Sequence, residues 1–189
     1  ARAWPAPGAL RELRARLVAA ERPLVIAGGP GWDAEAAAAL QRFAENWQLP
    51  VACGWRFQDT FDNRHALYAG DVGIGINPRL AARIRDADLV IALGVRLGEM
   101  TTNGYTLLAA PRPAQALVHI HPGPEELGRV YAADLMIQAA MPAAAKSLEA
   151  LTAPPELRWR THTDAARADY EANLEAPAVE PMDLAVVVK

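Results

Sequence analysis

Residues 87–96 read Ala-Asp-Leu-Val-Ile-Ala-Leu-Gly-Val-Arg, and this stretch decides the fold class. Five apolar residues follow the aspartate without interruption and lead directly into a glycine. A strand with one face in water alternates apolar and polar side chains, whereas a strand covered on both faces does not. The stretch therefore predicts a buried parallel strand with helices packed above and below it.

Four further apolar runs have the same character: Pro23-Leu-Val-Ile-Ala-Gly-Gly, Leu49-Pro-Val-Ala-Cys-Gly, Ala116-Leu-Val-His-Ile-His and Asp134-Leu-Met-Ile-Gln-Ala. Helical patterns or loop signals separate each run from the next. Strands that alternate with helices form right-handed crossovers. The sequence thus predicts an α/β fold, a doubly wound and mainly parallel sheet of five or six strands with helices on both faces. In such a Rossmann-like fold, ligands bind at the carboxyl ends of the strands.

Composition narrows the class of protein. The 189 residues are 52% hydrophobic and 22% charged, which indicates a globular chain. A net charge of −3 without a basic run argues against nucleic acid and anionic membranes as partners, and no apolar run is long enough to cross a bilayer. The single cysteine, Cys53, excludes an internal disulfide and a multi-cysteine metal site. We therefore expect a cytoplasmic protein.

The turn after the first predicted strand is the first candidate binding site. It reads Gly28-Gly-Pro-Gly-Trp-Asp33 and leads into a predicted helix that Asp33 can cap. Glycines allow backbone amides to approach a ligand, and a helix start attracts anions, so a phosphate could sit here. The full Gly-x-Gly-x-x-Gly pattern is absent. A tight turn that binds nothing therefore fits the residues equally well.

Three further candidate side chains lie in or directly after predicted strands. Arg96 is the cation at the predicted crevice and suits a phosphate or a carboxylate, but an ordinary salt bridge is favoured by about two to one. His119 and His121 share one face of a strand, which would allow a metal site. Because no third ligand is recognisable nearby, hydrogen-bonded structural histidines are the better interpretation.

The chain also divides into segments. We predict that residues 1–8 are a linker from a preceding domain and that residues 9–151 form the Rossmann-like domain. Within it, the irregular residues 54–75 predict a binding or interface loop. Proline-rich residues 152–189 predict a connector, followed from Met182 by the start of a further domain.

The order of these elements resembles the central domain of thiamine diphosphate-dependent enzymes of the acetolactate synthase and benzoylformate decarboxylase kind. The resemblance covers about residues 8–151 and depends on an ordered set of motifs rather than on any one of them. The motifs are Arg22-Pro-Leu-Val-Ile-Ala-Gly-Gly29, Gly70-Asp-Val-Gly73, Asp86-Ala-Asp-Leu-Val-Ile-Ala-Leu-Gly-Val-Arg96, His119-Ile-His-Pro-Gly-Pro-Glu-Glu-Leu-Gly128 and Ala133-Asp134.

The resemblance implies a division of labour between domains. In that family the cofactor attacks a 2-oxo acid, the activating glutamate belongs to an N-terminal domain, and a Gly-Asp-Gly motif for magnesium and diphosphate belongs to a C-terminal domain. Neither is recognisable here. The resemblance therefore implies a non-catalytic domain of a carboligase or decarboxylase, a transferase or lyase, that braces the catalytic domains and helps to form a homo-oligomer, a dimer or tetramer. Thiamine diphosphate and magnesium would bind the full-length enzyme and not this chain, which is expected to be inactive.

The first alternative is a nucleotide-binding module of the same enzyme, since some members of the family hold FAD or an adenine nucleotide in this domain. The positions that match those of the FAD binders are Gly28, Gly29, Gly94, Val95, Arg96 and Asp134. Pro30 stands where FAD binders tend to have a third glycine and removes an amide donor. His119 and His121 replace acidic residues, and Leu97-Gly98-Glu99 replaces Phe-Asp-Asp, so an empty or vestigial site is expected.

The second alternative is a sirtuin-like deacetylase, because that family uses a related sheet. Those enzymes are expected to carry paired zinc cysteines. Cys53 alone cannot supply them, which counts against this interpretation.

Overall fold

The strands and helices alternate along the chain. The computed structural model describes residues 3–175. The strands are β1 (Pro23–Ala27), β2 (Val51–Gly54), β3 (Tyr68–Val72), β4 (Leu89–Leu93), β5 (Ala116–His121) and β6 (Leu135–Gln138). The helices are α1 (Pro7–Ala19), α2 (Ala34–Trp47), α3 (Pro78–Asp86), α4 (Met141–Glu149) and α5 (Arg160–Leu174). Two short 3-10 turns span Gln58–Thr60 and Pro124–Glu126.

The six strands form one parallel sheet in the order β3-β2-β1-β4-β5-β6. This order and the helices on both faces confirm the predicted doubly wound fold. The five apolar runs became β1, β2, β4, β5 and β6, whereas β3 lies inside the segment predicted to be irregular. Gly70 and Asp71 interrupt its apolar pattern, and as an edge strand it pairs with β2 alone.

The sheet carries an apolar layer on each face. Helices α1, α2 and α4 cover one face, and α3 covers the other. In α2, Leu40, Phe43 and Trp47 recur at helical spacing and are buried. Small residues at the contact between α2 and α4, among them Ala39 and Ala145, let the two helices approach closely.

The segment after residue 151, predicted to be a connector, packs against the domain. Trp159 is buried and stacks on Trp47, with ring centroids 6.4 Å apart and an interplanar angle of 6°. Its Nε1 donates to the Trp47 carbonyl at 2.8 Å, and the Thr163 hydroxyl donates to the Gln48 carbonyl at 2.7 Å. Helix α5 then lies along β3, the edge strand, where Tyr170 meets Tyr68 edge to face. The packed unit thus extends to the end of α5.

The predictions for Ala1 and Arg2, and for the apolar element that begins at Met182, lie outside the described residues. Among residues 3–175, no helix combines the length and the apolar character that crossing a membrane requires.

Candidate functional site at the carboxyl edge

The candidate site lies where the strand order reverses, between the neighbouring strands β1 and β4. Gly28 and Gly29 follow β1, and Gly94, Val95 and Arg96 follow β4, so the structure brings these five candidates together at the carboxyl edge of the sheet. The two turns touch, because the Gly28 amide donates to the Leu93 carbonyl at 3.1 Å and a Cβ on Gly29 would overlap the Gly94 carbonyl. These glycines therefore permit close contact between two strands.

Asp134, the sixth candidate, lies elsewhere. It precedes β6 and so stands at the amino edge of the sheet, opposite the other five. Its Oδ2 accepts from the Leu117 amide at 2.8 Å, and its own amide donates to the Leu117 carbonyl at 2.9 Å. In this position the carboxylate caps the start of β5.

The Asp134 contact gives a first prediction. We expect Asp134→Ala to lower the free energy of unfolding by about 1 kcal/mol, because the Leu117 amide loses its carboxylate acceptor. Urea denaturation followed by circular dichroism measures this change. Asp164→Ala, which removes an exposed carboxylate from α5, is the matched control and should change stability by less than about 0.5 kcal/mol. Equal effects of the two changes would contradict the prediction.

The start of α2 already carries an anion. Asp33 Oδ1 accepts from the Ala36 amide at 2.9 Å, which confirms the predicted cap and places a carboxylate where a phosphate would bind. The adjoining cavity has a volume of about 410 Å³. Asp33 and Asp59 line it with the rings of Trp32 and Phe57, and no Lys or Arg among residues 3–175 lines it. Two carboxylates without a cation disfavour a phosphate in this cavity.

Arg96 is paired within the chain. Its Nε lies 3.3 Å from Oε2 of Glu126, a carboxylate that is largely buried and also binds Arg129 at 2.8 Å. The salt bridge favoured at the sequence level is therefore present. Its partner Glu126 was not among the candidates, because it belongs to the turn after β5 and reaches Arg96 only through the pairing of β4 with β5.

A second cavity of about 320 Å³ is lined by Arg96, Glu99, Trp55 and Tyr105. Phe57 lines both this cavity and the one that contains Asp33 and Asp59.

The two histidines of β5 are held by backbone groups. His119 Nε2 lies 3.0 Å from the Val95 carbonyl, and the Gly123 amide donates to His121 Nδ1 at 3.0 Å. Within the part of the chain that the structure describes, no group of three His, Cys, Asp or Glu side chains is placed to hold a metal ion.

Most of the chain matches one known protein family. The family model described as the central domain of thiamine pyrophosphate enzymes matches residues 10–151. The chain belongs to this family. All six strands and the glycine turns of the candidate site lie within the matched residues.

Relatives within the family are much longer. Glyoxylate carboligase from Escherichia coli is 36% identical over 125 residues, covering 64% of this chain and 20% of the relative. Sulfoacetaldehyde acetyltransferase from Rhodobacter capsulatus is 31% identical over 147 residues, covering 76% and 25%. Acetolactate synthase large subunit from Parasynechococcus marenigrum is 31% identical over 118 residues, covering 62% and 19%. The chain therefore spans about a fifth to a quarter of the length of the curated relatives it matches.

A solved structure shares the fold. It is the X-ray structure of a putative thiamin diphosphate-dependent enzyme from Mycobacterium smegmatis, with a TM-score of 0.61 and 24% sequence identity. The match covers 83% of this chain and 30% of that chain. At this identity the likeness supports the fold alone.

The described residues at this crevice include no cluster that would hold a metal-bound diphosphate. A thiamine diphosphate site needs cationic or metal-held contacts to the diphosphate, but the described residues offer no metal-ligand cluster, and the helix start at the crevice is capped by Asp33. The motif Gly-Asp-Gly does not occur in the 189 residues.

As a second prediction, we expect the stability of this domain to depend on pH through two histidines, the buried His119 and the partly buried His162. Burial lowers the pKa of His119, and burial together with Arg83 lowers the pKa of His162. Above about pH 6.5 both imidazoles are neutral in the folded and in the unfolded state. Below this pH the unfolded chain binds more protons than the folded chain does, so the folded state loses stability as the pH falls. We expect the urea midpoint to fall between pH 7 and pH 5, and to fall less in His119→Gln. Midpoints that do not change over this range would contradict the prediction.

Proposed function

We propose that the chain is the non-catalytic central domain of a thiamine diphosphate-dependent carboligase or decarboxylase acting on 2-oxo acids, where it braces the catalytic domains and contributes to a homo-oligomer. The observation that carries the proposal is that the groups at the switch point that could meet a ligand are already packed or paired within the chain. Gly29 packs on Gly94, Arg96 binds Glu126, and Asp33 caps the helix that would hold a phosphate.

The relatives support the same proposal. The three relatives named above are a carboligase, an acetyltransferase and a synthase, and each is at least four times as long as the matched region of this chain. On this proposal, the catalytic groups and the sites for thiamine diphosphate and magnesium lie in the remaining parts of the enzyme.

The test is direct and forms a third prediction. The purified 189-residue chain should not turn over pyruvate or benzoylformate, and thiamine diphosphate with magnesium should leave its melting temperature unchanged. A ligand present at 100 times its Kd would stabilise the folded state by about 2.7 kcal/mol and raise the melting temperature by roughly 5 to 10 °C. A full-length acetolactate synthase, assayed alongside, is the positive control. Turnover or such a shift would overturn the proposal.

A second candidate, a module that binds FAD or ADP, is favoured by the cavity that Arg96 lines, next to the turn after β4. In this case Gly28, Gly29, Gly94 and Val95 would approach the nucleotide, and Arg96 would exchange Glu126 for a phosphate.

A fourth prediction separates the two candidates. Purified protein that is yellow, or that is stabilised by FAD or ADP and loses the effect in Arg96→Ala, would support the nucleotide module. Arg129→Ala is the matched control, because Arg129 also binds Glu126 but does not line the cavity that contains Arg96. We expect colourless protein whose melting temperature neither nucleotide changes.

A further inference from the structure

Exposed large apolar side chains are unevenly distributed over the surface. Six such residues occur in the described part of the chain: Trp4, Phe57, Ile74, Tyr105, Met136 and Leu174. Single exposed apolar residues need no explanation, but a group on one side of a protein marks an interaction site. All of these residues except Met136 lie at the carboxyl edge of the sheet.

Three of them sit on loops that leave successive strands. Phe57 follows β2, Ile74 follows β3, and Tyr105 belongs to the long loop after β4. Phe57 and Tyr105 line the same cavity, together with Trp55. Ile74 is 70% exposed and lies between two glycines, so it contributes little to the core.

The other two mark the ends of the described chain. Trp4 is 59% exposed and follows Ala3, whose carbonyl accepts from the Ala140 amide just beyond β6. Helix α5 starts at the amino edge, where Thr163 binds the Gln48 carbonyl ahead of β2. It then runs towards the carboxyl edge, where Asn77, beyond β3, donates to the carbonyl of Asp169.

The opposite edge is polar. Asp88 accepts from the amides of Glu21 and Arg22 at 2.7 and 2.9 Å, and Arg22 Nε donates to the Asp86 carbonyl. Charged side chains thus cap the amino edge, and none of the six exposed apolar residues lies there. The carboxyl edge is therefore the side suited to a partner.

Ala3 and the end of α5 both lie at this same edge, and the relatives are four to five times longer than the matched region. We propose that the carboxyl-edge surface, formed by Trp4, Phe57, Ile74, Tyr105 and Leu174, is the docking surface for a neighbouring domain of the same polypeptide that follows residue 175 and presents apolar side chains. The inference depends on the proposed function, because it requires a longer enzyme. To the proposed function it adds the side of the domain on which the contact with the neighbouring domain is made.

Hydrogen exchange tests the proposal in the polypeptide from the complete reading frame. Amides of residues 55–61, 73–76 and 100–106 should exchange at least tenfold more slowly there than in the 189-residue chain. Ile74→Asp in the longer polypeptide should abolish this protection. Met136→Asp is the matched control, since Met136 is 40% exposed on β6 away from the carboxyl edge, and it should leave the protection intact.

Other outcomes overturn the proposal. Equal exchange in the two polypeptides would show that nothing covers the surface, and equal effects of Ile74→Asp and Met136→Asp would show that the protection is not local. A 189-residue chain that dimerises, and that Ile74→Asp makes monomeric, would identify a second copy as the occupant. Unaltered melting of the 189-residue chain with Ile74→Asp establishes that the variant folds.

Failure of this inference is distinguishable from failure of the proposed function. Unprotected loops with an inactive 189-residue chain would remove the docking surface alone. Turnover by the 189-residue chain would remove the non-catalytic function and with it the reason for a bracing contact.

Discussion

Trp159→Ala is expected to lower the free energy of unfolding by roughly 4 kcal/mol. The side chain is 1% exposed and stacks on Trp47, so its removal leaves a large cavity next to α2. It also leaves the Trp47 carbonyl without the indole donor at 2.8 Å. Because Trp159 precedes α5, we further expect this helix to lose protection from hydrogen exchange.

Urea denaturation of the 189-residue chain measures the effect. Trp4→Ala is the matched control, because it deletes the same side chain from an exposed position and should change stability by less than about 0.5 kcal/mol. A loss below about 1 kcal/mol in Trp159→Ala would mean that residues 152–175 are a connector, as their sequence suggests, and do not belong to the core.

Gly94→Ala is expected to be comparably damaging, at roughly 4 kcal/mol, for a different reason. Gly94 has a φ of +75°, and a Cβ there would overlap the Gly28 carbonyl and lie 2.6 Å from the sulfur of Met141. Backbone strain and overpacking therefore act together, at the contact between the turns after β1 and β4.

Two other glycines separate these contributions. Gly31 has a φ of +92° with nothing within 4 Å of a Cβ, so Gly31→Ala should cost only about 1 to 2 kcal/mol, from backbone strain alone. Gly98 has an ordinary φ, and the nearest atom to a Cβ is 4.0 Å away, so Gly98→Ala should be neutral within about 0.5 kcal/mol. The same denaturation experiment ranks the three. A Gly94→Ala protein as stable as Gly31→Ala would show that the two turns do not pack tightly.

The fold could be predicted from the sequence because strands buried on both faces consist of uninterrupted apolar residues. The runs that became β1 and β4 are apolar throughout, and the strands are buried along their whole length. Strand β3 has a weaker apolar pattern. As an edge strand it tolerates Gly70 and Asp71, and its partners are β2 and, along its outer side, α5.

Part of the candidate site could also be predicted from the sequence. Gly28, Gly29, Gly94, Val95 and Arg96 could be placed together because each follows a strand of a parallel sheet. Asp134 precedes its strand, and that order alone puts it at the opposite edge.

Contacts between distant elements could not be predicted from sequence. The pairing of Arg96 with Glu126 requires the positions of β4 and β5, and the role of Trp159 requires the end of α2. Proline-rich composition gave no sign that the segment after residue 151 carries a core tryptophan.

The capped amino edge has a practical consequence. Its turns carry charged, exposed side chains such as Glu21 and Asp86, and they lie one full strand length from the loops at the other edge. A fluorophore, a biotin or an inserted epitope at residue 21 would therefore report on assembly without blocking the carboxyl edge. The same position allows the molecule to be immobilised in one orientation on a sensor surface.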